Sequence, residues 1–257
     1  MALCWILHAK SRVNANPKMV RSRFDARAKL SRARQSFLIM DRVGRFLALL
    51  VLLAAPVAAQ KNDWLIVPGQ RVGPITATTM RADLDTLLGK ENVHDGTFEG
   101  GDVPEAATMV WGGDSSTALA ITWDQERPLA VHACVGTQTG PCRWRTASGI
   151  RVGLPIRELE KLNGKAFQVV GIGQEQGKVV SWRHGALEED PALCGHLLVR
   201  LTPIAEVEGR AMSKDEASSI KSLQGDKPVN SNSVALLNLN PIVTGIALEF
   251  GGAGCGK

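Results

Sequence analysis

The apolar positions along this chain change period several times, and each change predicts an element. After Gln60, "DWLIVPG" reads as a short first strand. From about Thr79 to Leu88 the period lengthens: Met80, Leu84, Leu87 and Leu88 recur at spacings of three and four, giving one apolar face of a helix. Thr78 or Thr79 can cap its start and Gly89 stops it. "HDGTFEGGDVPEA" then reads as a polar, glycine-rich loop. "ATMVW", "TALAITW" and "LAVHACV" follow, separated by "GGDSS" and "DQERP", the strand and turn signals of an antiparallel meander. Trp111 and Trp123 fall at strand ends, where large side chains close the edge of a core.

The order then recurs. "RVG" at 71–73 returns at 151–153, and "MRADLDTLLGKENV" is echoed by "PIRELEKLNGKAFQV". Asp83-Leu84-Asp85 aligns with Glu158-Leu159-Glu160, and Gly89-Lys90 with Gly164-Lys165; the first copy has five extra residues between "RVG" and its helix. The second helix is expected from Pro155, a favoured first helical residue, to Asn163-Gly164. Strand "HLLVRLTP", a polar segment with a helix near Asp215–Leu223, and a closing strand in "NPIVTGIALEF" complete the chain. The fold class expected is α+β: two related units in one body, residues 60–147 and 148–257, each a short helix packed on a small antiparallel sheet.

Glycines at 171, 173 and 177 invite comparison with a phosphate loop. A dinucleotide loop needs G-x-G-x-x-G after a strand and opening a helix, so that backbone N–H groups and the helix dipole meet the phosphate. Here the spacing is G-x-G-x-x-x-G, the helix comes first, and the strand "KVVSW" follows. The segment reads as a hairpin, and no cofactor site is expected.

Charge and targeting alter the picture of the N-terminal part. Arg42 and Arg45, the apolar run Phe46–Ala55, and Val57-Ala58-Ala59 before Gln60 have the layout of a secretory signal over residues 40–59. The run is too short for a permanent membrane span, and no cysteine follows it to carry a lipid. Residues 1–39 are rich in Arg, Ser and Ala and precede a complete signal. They are expected to be a non-native or disordered extension, with Met40 the real start. The alternative is an unusually long n-region or a separate arm. Residues 1–45 hold eleven Lys/Arg against two acids; the whole chain has a formal charge of +5, which leaves −4 after residue 45. The sequence pI of about 9.1 therefore belongs to the leader, and a nucleic-acid partner is not expected.

Export agrees with the cysteines. Beyond Cys4, the chain has Cys134, Cys142, Cys194 and Cys255, enough for two disulfides in an oxidising compartment. Cys134 and Cys142 flank the turn-rich "VGTQTGP" and are expected to pair. That leaves Cys194 with Cys255, closing a loop of about sixty residues, for which chain entropy gives roughly 4 kcal/mol. His132 and His196 each lie two residues from a cysteine, but neither arrangement has the C-x-x-C spacing of a structural zinc site, and no metal site is expected.

Gly149-Ile150, the run Glu158–Phe167, the 171–177 bend, Ser181-Trp182, and Leu239–Phe250 together resemble a family of exported bacterial domains with no assigned activity. That family's pattern is "ELxKLNGKxF" followed by a glycine-rich hairpin and "LNPxVxxIxxxF". The resemblance covers roughly residues 148–250. It departs from the pattern at Gln174-Glu175-Gln176, where the family has an aromatic and an acid. The tandem helix-then-sheet layout also looks like outer-membrane assembly lipoproteins and secreted β-lactamase inhibitors, an analogy of fold alone.

Candidate chemistry is sparse. Ser218-Ser219-Ile220-Lys221 matches S-x-x-K, but its companions S-D-N and K-T-G are absent. Cys194-Gly195-His196 gives no support for a thiol–base pair. Glu188-Glu189-Asp190 reads as hydrated turn carboxylates, and His94, His132 and His184 as ordinary histidines. No catalytic residue is expected. The function expected is a non-enzymatic module, periplasmic or secreted, binding a protein or envelope component. The alternative is a small serine hydrolase using Ser218 and Lys221. N-terminal sequencing of the exported protein is expected to begin at Gln60 or within a few residues; Met1 or Ala2 on an exported form would refute the signal. Isoelectric focusing of that form should place it on the acidic side of neutral.

Overall fold

The meander forms as its alternation requires: β5 (Glu105–Val110), β6 (Leu119–Asp124) and β7 (Arg127–Ala133) pair antiparallel in sequence order. β4 (Val93–Phe98) adds at the edge, paired with β5 from Val93↔Val110 to Phe98↔Glu105. His94–Phe98, expected in a loop, is therefore strand. An edge strand has a neighbour on one side only, so His94, Asp95 and Thr97 stay exposed and no apolar alternation marks them. The computed structural model describes residues 63–100, 103–137, 139–172, 177–189, 195–225 and 227–250, all within the unit that begins at Ala59.

The C-terminal half contributes β9 (Gln168–Val170), β10 (Gly177–Ser181), β11 (His196–Thr202), β12 (Val229–Asn230) and β13 (Ile242–Glu249). All join one antiparallel sheet of nine strands, ordered β12-β9-β10-β11-β13-β7-β6-β5-β4. The halves meet where β13 pairs with β7, Ile246↔Ala133 through Glu249↔Ala130. A smaller sheet of four short strands is built by β1 (Leu65–Val67), β2 (Arg71–Val72), β3 (Ile75–Thr76) and β8 (Arg145–Thr146). The architecture is α+β.

Helices cover one face of the large sheet. The first expected helix is a 3-10 turn, Arg81–Asp83, running into α1 (Leu84–Leu88). The second is α2 (Ile156–Asn163), with Pro155 as its extended N-cap and Gly164 closing it at φ 71°, where a side chain would be strained. α4 (Lys214–Ser222) opens on a capping box, with Ser213 Oγ accepting from Glu216 N (3.2 Å). α3 (Ile204–Val207) and α5 (Val234–Leu239) lie where the apolar pattern predicts no helix. Four-residue and six-residue helices are too short to show a period. Leu84, Leu88, Ile156, Leu159, Leu236 and Leu239 from the helices join Leu119, Ile121, Val131, Val199, Leu201, Val243, Ile246 and Leu248 from the strands in one buried core.

Polar ties hold α2 to this core. Asn163 is 1% exposed. Its Nδ2 donates to Lys165 O and Trp182 O, both at 2.9 Å, and its Oδ1 accepts from Leu187 N at 3.2 Å. Trp144, fully buried, donates Nε1 to Thr117 O (2.8 Å) and packs under Trp64 and Trp111. Trp111 thus closes a core edge as expected. Trp123 does so by donating Nε1 to Thr108 Oγ1 (2.9 Å).

Cys134 and Cys142 form the expected disulfide, with Cα atoms 5.8 Å apart. Cys194 and Cys255 lie outside the described residues, and with them the second expected pair. Among the described residues no helix is long and apolar enough to cross a membrane.

Asn163→Ala would strand two carbonyls and an amide in a buried site, with an expected destabilisation of about 2 kcal/mol or more by chemical denaturation. Replacing both Cys134 and Cys142 by Ala should lower stability by roughly 2–3 kcal/mol, the chain-entropy value for so short a loop.

Candidate functional site

Side chains alternate across a strand, so the sheet has a second face, turned away from the helices. Several of its residues are small: Ala107, Ala120, Ala130 and Ala247, with Gly96 on the edge strand and Gly245 on β13. These side chains leave room above the sheet, and the edge strand uses it. Phe98, at the end of β4, stacks on His132 of β7 with ring centroids 3.9 Å apart. In a flat sheet strands three places apart lie about 14 Å from one another. The contact therefore requires the sheet to curl over this face.

Beneath the curl is a cleft of about 520 Å³, lined by Phe98, Glu99, His132, Thr137, Arg200 and Thr244 among others. The register explains their meeting. His132 pairs with Ala247, which pairs on its other side with Leu198; Arg200, two residues on, faces Gly245. The stem of Arg200 lies across that glycine, where an added Cβ would stand 3.4 Å from both its Cβ and its Cδ. The Cys134–Cys142 disulfide sits at the rim, with Cys134 part of the lining.

Electrostatics single out two of these groups. Burial, with the Arg200 guanidinium nearby, pushes the His132 imidazole down to about 4, so it is neutral at pH 7. Arg200 is half-buried and makes no ion pair or hydrogen bond among the described residues. The hydroxyls of Thr137 and Thr244 are engaged, one accepting from Gly140 N (2.7 Å), the other sharing a hydrogen bond with Thr202 Oγ1 (2.8 Å).

The residues singled out in the sequence do not converge there, His132 and the Cys134–Cys142 pair excepted. Ser218 and Lys221 are both exposed on α4. Beside them Glu216 is held down to about 2, chiefly by two hydrogen bonds from the Arg210 guanidinium (2.7 and 3.0 Å) and by Ser213 N. Glu188, exposed to water as expected, accepts from His184 N, and the half-buried Glu189 accepts from Leu197 N, so each carboxylate braces a loop. Burial pushes Glu189 up, against the opposing Leu197 bond and the His196 ring 3.6 Å away. Cys194, Asp190 and residues 173–176 lie outside the described residues; the flanking strands β9 and β10 pair antiparallel as a hairpin requires. Among the described residues no group of three or more His, Cys, Asp or Glu could hold a metal ion. Phe98 and Arg200 carried no signal in the sequence, because neither belongs to a motif and they come from opposite halves of the chain.

No family model matches this chain, and no curated protein or solved structure matches it significantly.

His132 titrates lower in the folded protein than in the unfolded chain, where a histidine has a pKa of about 6.5. Between about 6.5 and 4 the unfolded state binds more protons, so this contribution to stability is intact above that window and lost as pH falls through it. His132→Gln should flatten that part of the stability profile, measured as denaturation midpoints at about pH 7 and about pH 4.5.

Proposed function

We propose that this chain is an exported, non-enzymatic binding module that takes part of an envelope or secreted protein into the cleft on the second face of its sheet. The observation that carries the reading is the lining itself. A cation with no ion pair among the described residues, a neutral imidazole and an aromatic ring converge in a concave space of about 520 Å³, within the range of ligand pockets. Among the described residues no lining hydroxyl is hydrogen-bonded to a base, which favours recognition over nucleophilic chemistry.

Export rests on the leader-like residues 40–59, and it accords with an oxidised Cys134–Cys142 pair. The division into related units at about residue 148 draws support from topology. Each half has a helix ended by a positive-φ glycine, Gly89 or Gly164, ahead of an antiparallel run of strands.

Capture from an envelope extract with the processed protein as bait tests the reading. A specific protein partner is expected, and its recovery should fall at least tenfold with Phe98→Ala, which removes the wall of the cleft. Loss of a hydrolytic activity toward a β-lactam or peptide ester on Ser218→Ala would instead establish the hydrolase.

A further inference from the structure

Resting on that reading, we infer that the cleft recognises a carboxylate: an acidic side chain on an extended segment of the partner protein, paired with Arg200 and flanked by an apolar residue packed on Phe98. Arg200 supplies the cation of the cleft. A guanidinium keeps its charge at any physiological pH, and burial raises the cost of leaving that charge without a partner. This one projects into a cleft, and among the described residues no carboxylate meets it. Its stem is positioned by packing on Gly245, so the planar fork loses less freedom when it binds.

The other lining groups narrow the class of anion. Glu99 lines the same cleft and is exposed, so its charge opposes any anion there, and opposes a dianionic phosphate more strongly than a monovalent carboxylate. A monovalent carboxylate matches one guanidinium in bidentate geometry. The His132 imidazole is uncharged at neutral pH and offers an N–H donor or a nitrogen acceptor, suited to a peptide backbone. The exposed side of the Phe98–His132 stack supplies apolar area next to the charge. A segment with an acidic residue beside an aromatic or aliphatic one satisfies all three features.

The probes are two capped tripeptides, acetyl-Phe-Asp-Phe-amide and acetyl-Phe-Asn-Phe-amide, together with acetate and inorganic phosphate. Each is titrated into the isotope-labelled protein, with the Arg200 Nε–H, His132 ring and Phe98 ring resonances followed by NMR. The Asp peptide is expected to shift all three saturably and to bind roughly tenfold or more tightly than the Asn peptide, the difference a charge-assisted hydrogen bond makes. Arg200→Gln should remove that preference. Arg200→Lys, which preserves the charge but not the fork, should retain part of it and so separate recognition from misfolding. Equal binding of the two peptides, phosphate binding as tightly as the Asp peptide, no saturable shift, or a preference unchanged in Arg200→Gln would each overturn the inference. A partner captured from the extract by wild type and Arg200→Gln alike would leave the binding-module reading standing and sink only the carboxylate.

Discussion

Strand β13 is the member on which the rest of this structure depends. Along its length it pairs with β11 on one side. On the other side its C-terminal part pairs with β7. Below that, Gly153 N donates to Val243 O, Val243 N to Leu154 O, and Ile156 N to Pro241 O, so the same strand fixes the entry to α2. Its buried side chains Val243, Ile246 and Leu248 lie in the middle of the core. One strand therefore joins the sheet of the first half to that of the second and seats a helix beneath both. The ladder fixes register, and because side chains alternate with a period of two, register fixes which residues face the helices.

The cleft follows from what that register leaves on the other face. Ala247 lies between His132 and Leu198, and Gly245 opposite Arg200. Larger residues at these positions would fill the space and hold Phe98 off His132. Small residues let the sheet curl, and the curl buries Ala107, Ala120, Ala130 and Ala247 to 5% exposure or less although they face away from the helices. Curvature also explains why His132 remains neutral: the ring is covered by Phe98 from above and has a cation beside it. A bulge in the β11–β13 ladder, between Arg200 and Leu201, places Thr244 where it can share a hydrogen bond with Thr202.

Much of the local structure was legible in the amino acids. The meander, the α2 helix with its Asn163-Gly164 end, the helix near 215–223, the 168–181 hairpin strands and the Cys134–Cys142 pair all follow from period, turn residues and short spacing. The edge strand β4 was hidden by exposure and by Gly96, which lies in the strand where an added Cβ would collide with Met109 Cγ at 2.7 Å. The "ELEKLNGK" run gave a helix and its stop, but the reason for its asparagine became visible only with Trp182 and Leu187 in place around it.

Sequence by itself determined the elements whose causes are local: helix period, a left-handed glycine at a helix end, a turn bringing two nearby cysteines together, and a charge balance that changes sign once residues 1–45 are set apart. Tertiary structure alone decided that Phe98, His132 and Arg200 line one cleft. Those residues are held together by a non-local pairing, β7 with β13, between segments more than a hundred residues apart, and by a curl that depends on small side chains from several strands at once. No local propensity encodes either, since both arise only when the sheet closes across the two halves of the chain.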